Sequence, residues 1–130
     1  MISIKKYTEK VLEMRTYSFK EFINIKKNLS KTFDVQILSG SMEPWIATNE
    51  TITVQKCSPE ELRPFDIIVY WKNDIFICHI FISLDENIIQ TKPLTQNKSD
   101  PPFDKSFLLG KVISPKFRWY HKLLLKIFYK

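Results

Sequence analysis

The sequence predicts an α+β domain, mainly β, with a helix ahead of an antiparallel, partly rolled sheet. Two patterns predict it. From Phe33 onward, short runs rich in Ile, Val, Phe and Thr alternate with turn residues at the spacing of an antiparallel sheet. Ahead of them, Ser18-Phe19-Lys20-Glu21 has the form of a capping box, and Phe19, Phe22 and Ile23 continue it as an apolar stripe. A chain of 130 residues suits one domain with a real core. Ten phenylalanines and two glycines leave few flexible hinges, so disorder is not expected.

The elements follow in order. The capping box opens a helix over Phe19–Leu29, and a second helical stretch is expected over Thr8–Met14, which gives the first third a helical character. Strands are expected over Phe33–Leu38, Thr51–Lys56, Asp66–Trp71, Ile75–Ser83, Asn87–Thr91 and Leu108–Ile113. Lys72-Asn73-Asp74 and Asp85-Glu86-Asn87 read as hairpin turns. Lys92–Asp104, with Pro93, Pro101 and Pro102 and no periodicity, reads as a loop of the kind that rims an active site. The expected organisation is a helical segment over 1–32, a β domain over 33–114 and a basic amphipathic tail over 115–130.

Charge is unevenly placed. Residues 1–110 hold fourteen Lys/Arg against fourteen Asp/Glu, so the whole net charge of +6 lies in the last twenty residues. There Lys111, Lys116, Arg118, Lys122, Lys126 and Lys130 meet no acid. Cys57 and Cys78 have neither the spacing nor the company of a zinc site, and a reduced pair on neighbouring strands is expected, which suits the cytoplasm. Charged residues interrupt the N-terminal region, and no run approaches twenty apolar residues. Neither a signal peptide nor a transmembrane helix is therefore expected, and a cytoplasmic protein, peripheral at the membrane if attached at all, is.

The most informative stretch is Leu38-Ser39-Gly40-Ser41-Met42-Glu43-Pro44-Trp45. Ser-Gly-Ser alone is a common turn. Here Gly40 lets the chain bend, while Pro44 fixes its own φ and pushes Glu43 away from helix. The Ser41 hydroxyl is thereby held on a stiff corner, as a nucleophile requires.

These residues resemble the nucleophile box of the signal peptidase and LexA-type serine peptidases. Three further blocks follow in the order of that superfamily. Leu62-Arg63-Pro64-Phe65-Asp66-Ile67-Ile68-Val69-Tyr70 resembles the strand entered through Gly-Asp, with Phe65 in the glycine's place. Ile77-Cys78-His79-Ile80 resembles the strand of the general base. Thr91-Lys92 to Asp100, then Leu109-Gly110-Lys111-Val112-Ile113, resembles the Thr-Lys-Gly-Asp box and the closing Gly-Lys-Val strand. The resemblance spans Phe33 to Ser114 and implies a signal-peptidase-like β fold.

A serine hydroxyl needs a base to remove its proton. His79 stands in the most apolar strand, where burial keeps an imidazole neutral; His121 falls in the basic tail. No lysine lies between Asn73 and Ser83, and Lys56 and Lys72 fall at strand ends, a poor place for a base. The resemblance is therefore to the Ser–His branch found in archaea and the eukaryotic secretory pathway. It implies Ser41 as nucleophile and His79 as base, with an aspartate that orients the imidazole. Asp100 falls where that branch has its later aspartate, ahead of Asp104, although Pro93 and Leu94 replace the Gly-Asp of the box. The Ser41 N–H and the Ser39 hydroxyl are the implied oxyanion donors. Met42 and Pro44 are candidate substrate contacts, with core packing an equal reading of Met42.

The tail interleaves bases with Phe117, Trp119, Tyr120, Leu124 and Phe128. It reads as an interfacial helix that meets anionic lipid, with a terminal helix packed on the sheet as the alternative. Nucleic acid ranks low, since no second basic patch is visible. Together these features lead to the expectation of a serine endopeptidase that cleaves a peptide or protein precursor without metal or organic cofactor. A LexA-like self-cleaving protein and a degenerate peptidase fold kept as a binding module are the rivals.

Overall fold

The computed structural model describes residues 2–4, 16–37, 42–43, 45–46, 49–95 and 98–114. Among them is one α-helix, α1 (Phe19–Asn28), and eight strands: β1 (Ile2–Ile4), β2 (Thr32–Ile37), β3 (Thr51–Gln55), β4 (Ile67–Lys72), β5 (Ile75–Asp85), β6 (Ile88–Lys92), β7 (Phe103–Asp104) and β8 (Leu108–Ser114). The domain is mainly antiparallel β with a helix near its N-terminus, as the patterning predicts.

Local chemistry explains the helix and the hairpins. Ser18 Oγ accepts from the Glu21 N–H at 3.2 Å, and the Glu21 carboxylate accepts from the Ser18 N–H at 3.1 Å, which completes the capping box. Asn73 and Asp74 turn the β4–β5 hairpin with φ of 52° and 67°, the left-handed pair that favours Asn and Asp. Glu86, at φ 54°, turns β5 into β6.

All eight strands form one sheet in the order β1-β2-β3-β8-β4-β5-β6-β7, with every neighbouring pair antiparallel. The sheet curls enough to bring β1 against β5. β8 enters between β3 and β4, and Gly110 is what lets it. A Cβ at Gly110 would run into the Gln55 carbonyl and stand 2.9 Å from Val54 Cγ1.

Alternation along the strands produces two apolar layers. Phe33, Val35, Ile52, Val54, Val69, Trp71, Phe76 and Ile80 form the larger one, onto which α1 lays Phe22 and Ile25. Phe22 stacks on Trp71 with centroids 5.3 Å apart and rings 15° from parallel. Ile68, Tyr70, Phe81, Ile89, Phe103 and Leu108 form the smaller layer on the opposite face, where Phe103 stacks on Tyr70 at 4.0 Å.

Several expectations are corrected. Residues 2–4 pair with β2 as a strand, not as part of a helical segment, and α1 shares the core of the sheet. Lys92 belongs to β6, and Phe103–Asp104 pair with Ile88 and Ile89 as β7, so the loop is shorter than Lys92–Asp104. Cys57 and Cys78 are both free thiols, but they are not on neighbouring strands. Cys57 follows β3, Cys78 lies within β5, and they pack in opposite layers. Burial pushes the Cys57 thiol up to about 11 and the Cys78 thiol up to about 12. The expected Thr8–Met14 helix and the tail over 115–130 lie outside the described residues. Among the described residues, no helix is long and apolar enough to cross a membrane.

Candidate active site

Strand register brings the polar side chains together. Paired residues share a face in an antiparallel ladder, and side chains two apart return to it. Ile68 pairs with His79, Tyr70 with Ile77, and Phe81 with Thr91, so Tyr70, His79 and Thr91 all project from the face of the smaller layer. The loop after β6 then folds Asp100 over them.

His79 Nδ1 lies 2.7 Å from Asp100 Oδ2. Thr91 Oγ1 donates to the same carboxylate oxygen at 2.8 Å, and the Tyr70 hydroxyl lies 3.0 Å from Thr91 Oγ1. Chemistry gives this row a direction. A carboxylate only accepts, so His79 Nδ1 must carry its proton toward Asp100 and Thr91 must spend its single hydroxyl proton there. Tyr70 is then the donor to Thr91. Its oxygen is also 3.5 Å from His79 Nδ1, a contact and not a bond, since both atoms already donate elsewhere. The consequence is an imidazole protonated on Nδ1, so that in its neutral form the lone pair is on Nε2. Among the described residues, Nε2 has no hydrogen-bond partner.

The surroundings reinforce that state. The side chains of His79 and Asp100 are 15% and 23% exposed, and burial holds the imidazole below its ordinary value against the upward pull of Asp100. Burial also drives the Tyr70 phenol well up, so it remains a donor. Lys92 is 3% exposed and donates to the Pro93 carbonyl at 3.0 Å. It pairs with Ile80, which puts it on the opposite face from His79. Burial lowers the Lys92 ammonium, and Asp100 partly restores it.

The backbone of Asp100 is also fixed. Its N–H donates to the Thr91 carbonyl at 2.8 Å, and Gln90 Nε2 donates to its carbonyl. Beyond it, Lys72 Nζ donates to the Pro101 carbonyl at 2.6 Å and approaches that of Pro102 at 3.4 Å.

The sequence matches no family model and no curated protein. The likeness to the peptidase superfamily therefore rests on the motifs themselves and on where their residues fall.

Of the predicted site residues, the structure brings His79 and Asp100 together. Asp104, the alternative orienting acid, is employed elsewhere: its carboxylate accepts from the Ser106 N–H at 2.9 Å and caps a 3-10 turn over Lys105–Phe107. Hydrogen bonds from the Ser106 side chain and then its N–H hold the Asp104 carboxyl below the usual range. Met42 is 1% exposed and packs within the larger apolar layer. Its carbonyl accepts from the Ile46 N–H at 2.9 Å in the corner that follows β2. Ser39, Ser41, Pro44 and His121 lie outside the described residues. Among the described residues, no three His, Cys, Asp or Glu side chains converge as metal ligands would.

Tyr70 and Gln90 have no site role from sequence; Thr91 enters there only as the start of the Thr-Lys box, and Lys72 only as a poorly placed base. The available signal was strand alternation: Tyr70 and His79 fall on one face once the turn at Asn73-Asp74 fixes the register. Phe65 is a further case. It precedes Asp66 and adopts φ 74° in a turn closed by the Asp66 N–H on the Arg63 carbonyl at 3.0 Å. Pro64 takes the second position of that turn, and the third normally goes to glycine. The backbone demand for glycine persists here although the residue is phenylalanine.

Proposed function

We propose that this protein is a serine endopeptidase of signal-peptidase-like fold that cleaves a peptide or protein precursor. The observation that carries the reading is the 2.7 Å contact between His79 Nδ1 and Asp100, which leaves Nε2 as the basic nitrogen. In the reaction, Ser41 Oγ attacks the scissile carbonyl carbon while His79 Nε2 takes the hydroxyl proton. Asp100 stabilises the imidazolium that results. The tetrahedral intermediate collapses as the imidazolium returns its proton to the departing amine, leaving an acyl-enzyme on Ser41. Water, deprotonated by the same Nε2, then releases the acid. The Ser41 N–H and the Ser39 hydroxyl are assigned to the developing oxyanion. The tail over 115–130 is assigned to an anionic membrane surface on the strength of its charge and aromatic content.

Covalent labelling tests the reading. A fluorophosphonate should modify Ser41, with S41A and H79A both refractory and each folded as judged by thermal melting. Cleavage of a soluble peptide library should follow the same order. A chain that neither labels at Ser41 nor cleaves any library member would instead be the degenerate binding module.

A further inference from the structure

Asp100 can assist His79 only while its loop stays closed over β5, and the bonds that close the loop are unequal in kind. On the side of β6, the strand that leads into the loop, the Asp100 N–H donates to the Thr91 carbonyl, Thr91 Oγ1 to the Asp100 carboxylate and Gln90 Nε2 to the Asp100 carbonyl. A further hold comes from a different part of the sheet. Lys72 ends β4 beside the Asn73-Asp74 turn and reaches the carbonyls of Pro101 and Pro102, immediately after Asp100.

We propose that Lys72 is a positioning residue that latches the Asp100 loop against His79 by binding the Pro101 and Pro102 carbonyls. The kinetic part of this proposal rests on the peptidase reading.

Three observations carry it. Prolines have no N–H, so Pro101 and Pro102 donate nothing to a ladder, and their locked φ fixes where their carbonyls point. A loop segment of that kind is held most simply by a donor from outside, and an ammonium supplies up to three. Second, Lys72 has carboxylates within the same neighbourhood. An open cleft of about 450 Å³ is lined by Lys72, Asp74, Asp104, Pro102, Phe103 and Trp71. Yet among the described residues the Lys72 ammonium pairs with neither acid and goes to the carbonyls instead. Third, the latch is adjacent in sequence to the group it would control. Pro101 is joined directly to Asp100, the His79 partner, so a shift of the loop has no slack in which to dissipate, and small displacements of a catalytic group are costly in rate.

The test compares K72M, K72Q and K72R in the full chain. Lys72 is at a half-exposed strand end, so all three should melt near the parent temperature. Two readouts separate the latch from the peptidase reading. The first is the low-field NMR signal of the His79 Nδ1 proton, which reports the contact with Asp100 and needs no activity. It should broaden by solvent exchange in K72M, remain sharp in K72R and be intermediate in K72Q, which keeps a neutral donor. The second is peptide cleavage, where K72M should lower kcat roughly ten- to hundredfold with KM nearly unchanged, and K72R should restore it. A K72M protein with the parent's ring-proton signal and the parent's kcat overturns the latch. If the signal responds as expected but no form of the protein cleaves or labels, the latch stands and the peptidase reading fails. Should K72M not fold, the order of K72Q and K72R against the parent decides the same question.

Discussion

The two faces of the sheet solve burial differently. The face under α1 is filled mainly by apolar and aromatic side chains, with Phe22 stacked on Trp71 and tilted against Phe76 and Phe107. The opposite face buries an apolar layer too, but a polar row from Tyr70 through Thr91 to Asp100 and His79 crosses it. Apolar packing is non-directional, so the first face gains stability mainly from contact area, with the buried Lys92 and the Trp71 indole bonded to backbone carbonyls. The polar row is directional because it terminates on a carboxylate, and each proton in it has one place to go. One face holds the fold together, and the other has a defined protonation state. That difference predicts that substitutions on the two faces should separate stability from activity.

The largest effect is expected at His79. His79→Ala should reduce kcat/KM by roughly two to four orders of magnitude, the range for removal of a general base, while the melting temperature moves by a few degrees at most. Equal loss of both would erase the distinction. Phe22→Ala should do the reverse and cost about 3–5 kcal/mol in urea unfolding, with kcat per folded molecule retained. At the end of the polar row, Asp100→Asn should lower kcat by less than His79→Ala does, because Asp100 orients the base and does not itself take the proton. Asp104→Asn should leave kcat within about twofold, because asparagine also caps. A larger effect of Asp104→Asn would move the orienting role to that residue.

A smaller effect concerns pH. Burial depresses the folded pKa of His79 below its ordinary 6.5, so the unfolded chain takes up that proton first as pH falls. The stabilisation from a neutral His79 is therefore complete above 6.5 and is lost as pH falls through the depressed folded value. Activity should fall through the same window as Nε2 protonates. Because Asp100 pulls that value upward, Asp100→Asn should shift the acid limb of kcat/KM to lower pH even as the rate declines. A shift to higher pH would contradict the assigned contact. The smallest effect is at Phe65, which packs against the larger layer from a left-handed backbone. Phe65→Ala should be less stable than Phe65→Gly by about 1 kcal/mol, since alanine retains the Cβ clash and glycine does not. Chemical denaturation of the pair measures the difference.

What could be read from the residues divides along physical lines. The capping box, the six longer strands and both hairpin turns carry their causes locally, in spacing and turn chemistry, and they appear where that chemistry puts them. β1 and β7 do not: three and two residues hold no period, and their strand character comes from the partners β2 and β6. The Cys57–Cys78 placement failed for the same reason, because sheet order is a property of the whole chain. His79 is visible as a histidine in an apolar run, and Asp100 only through the resemblance to the Ser–His branch. Tyr70 and Thr91 look like ordinary strand residues until register puts their hydroxyls beside the carboxylate. Met42 has two readings from sequence, and it is 1% exposed within the larger layer.

The position of β8 has a consequence for how the chain acquires its shape. It is the last described strand in the chain, yet it lies between β3 and β4 and hydrogen-bonds to both. The meanders β1–β3 and β4–β7 can each pair internally as a nascent chain emerges, but the edges of β3 and β4 remain open until residues 108–114 arrive. Contacts of such long sequence separation slow folding and leave unpaired strand edges exposed meanwhile. During synthesis, the site beside β4 and β5 thus waits on the last of the described strands, and until then the half-built sheet presents two edges open to any other extended peptide.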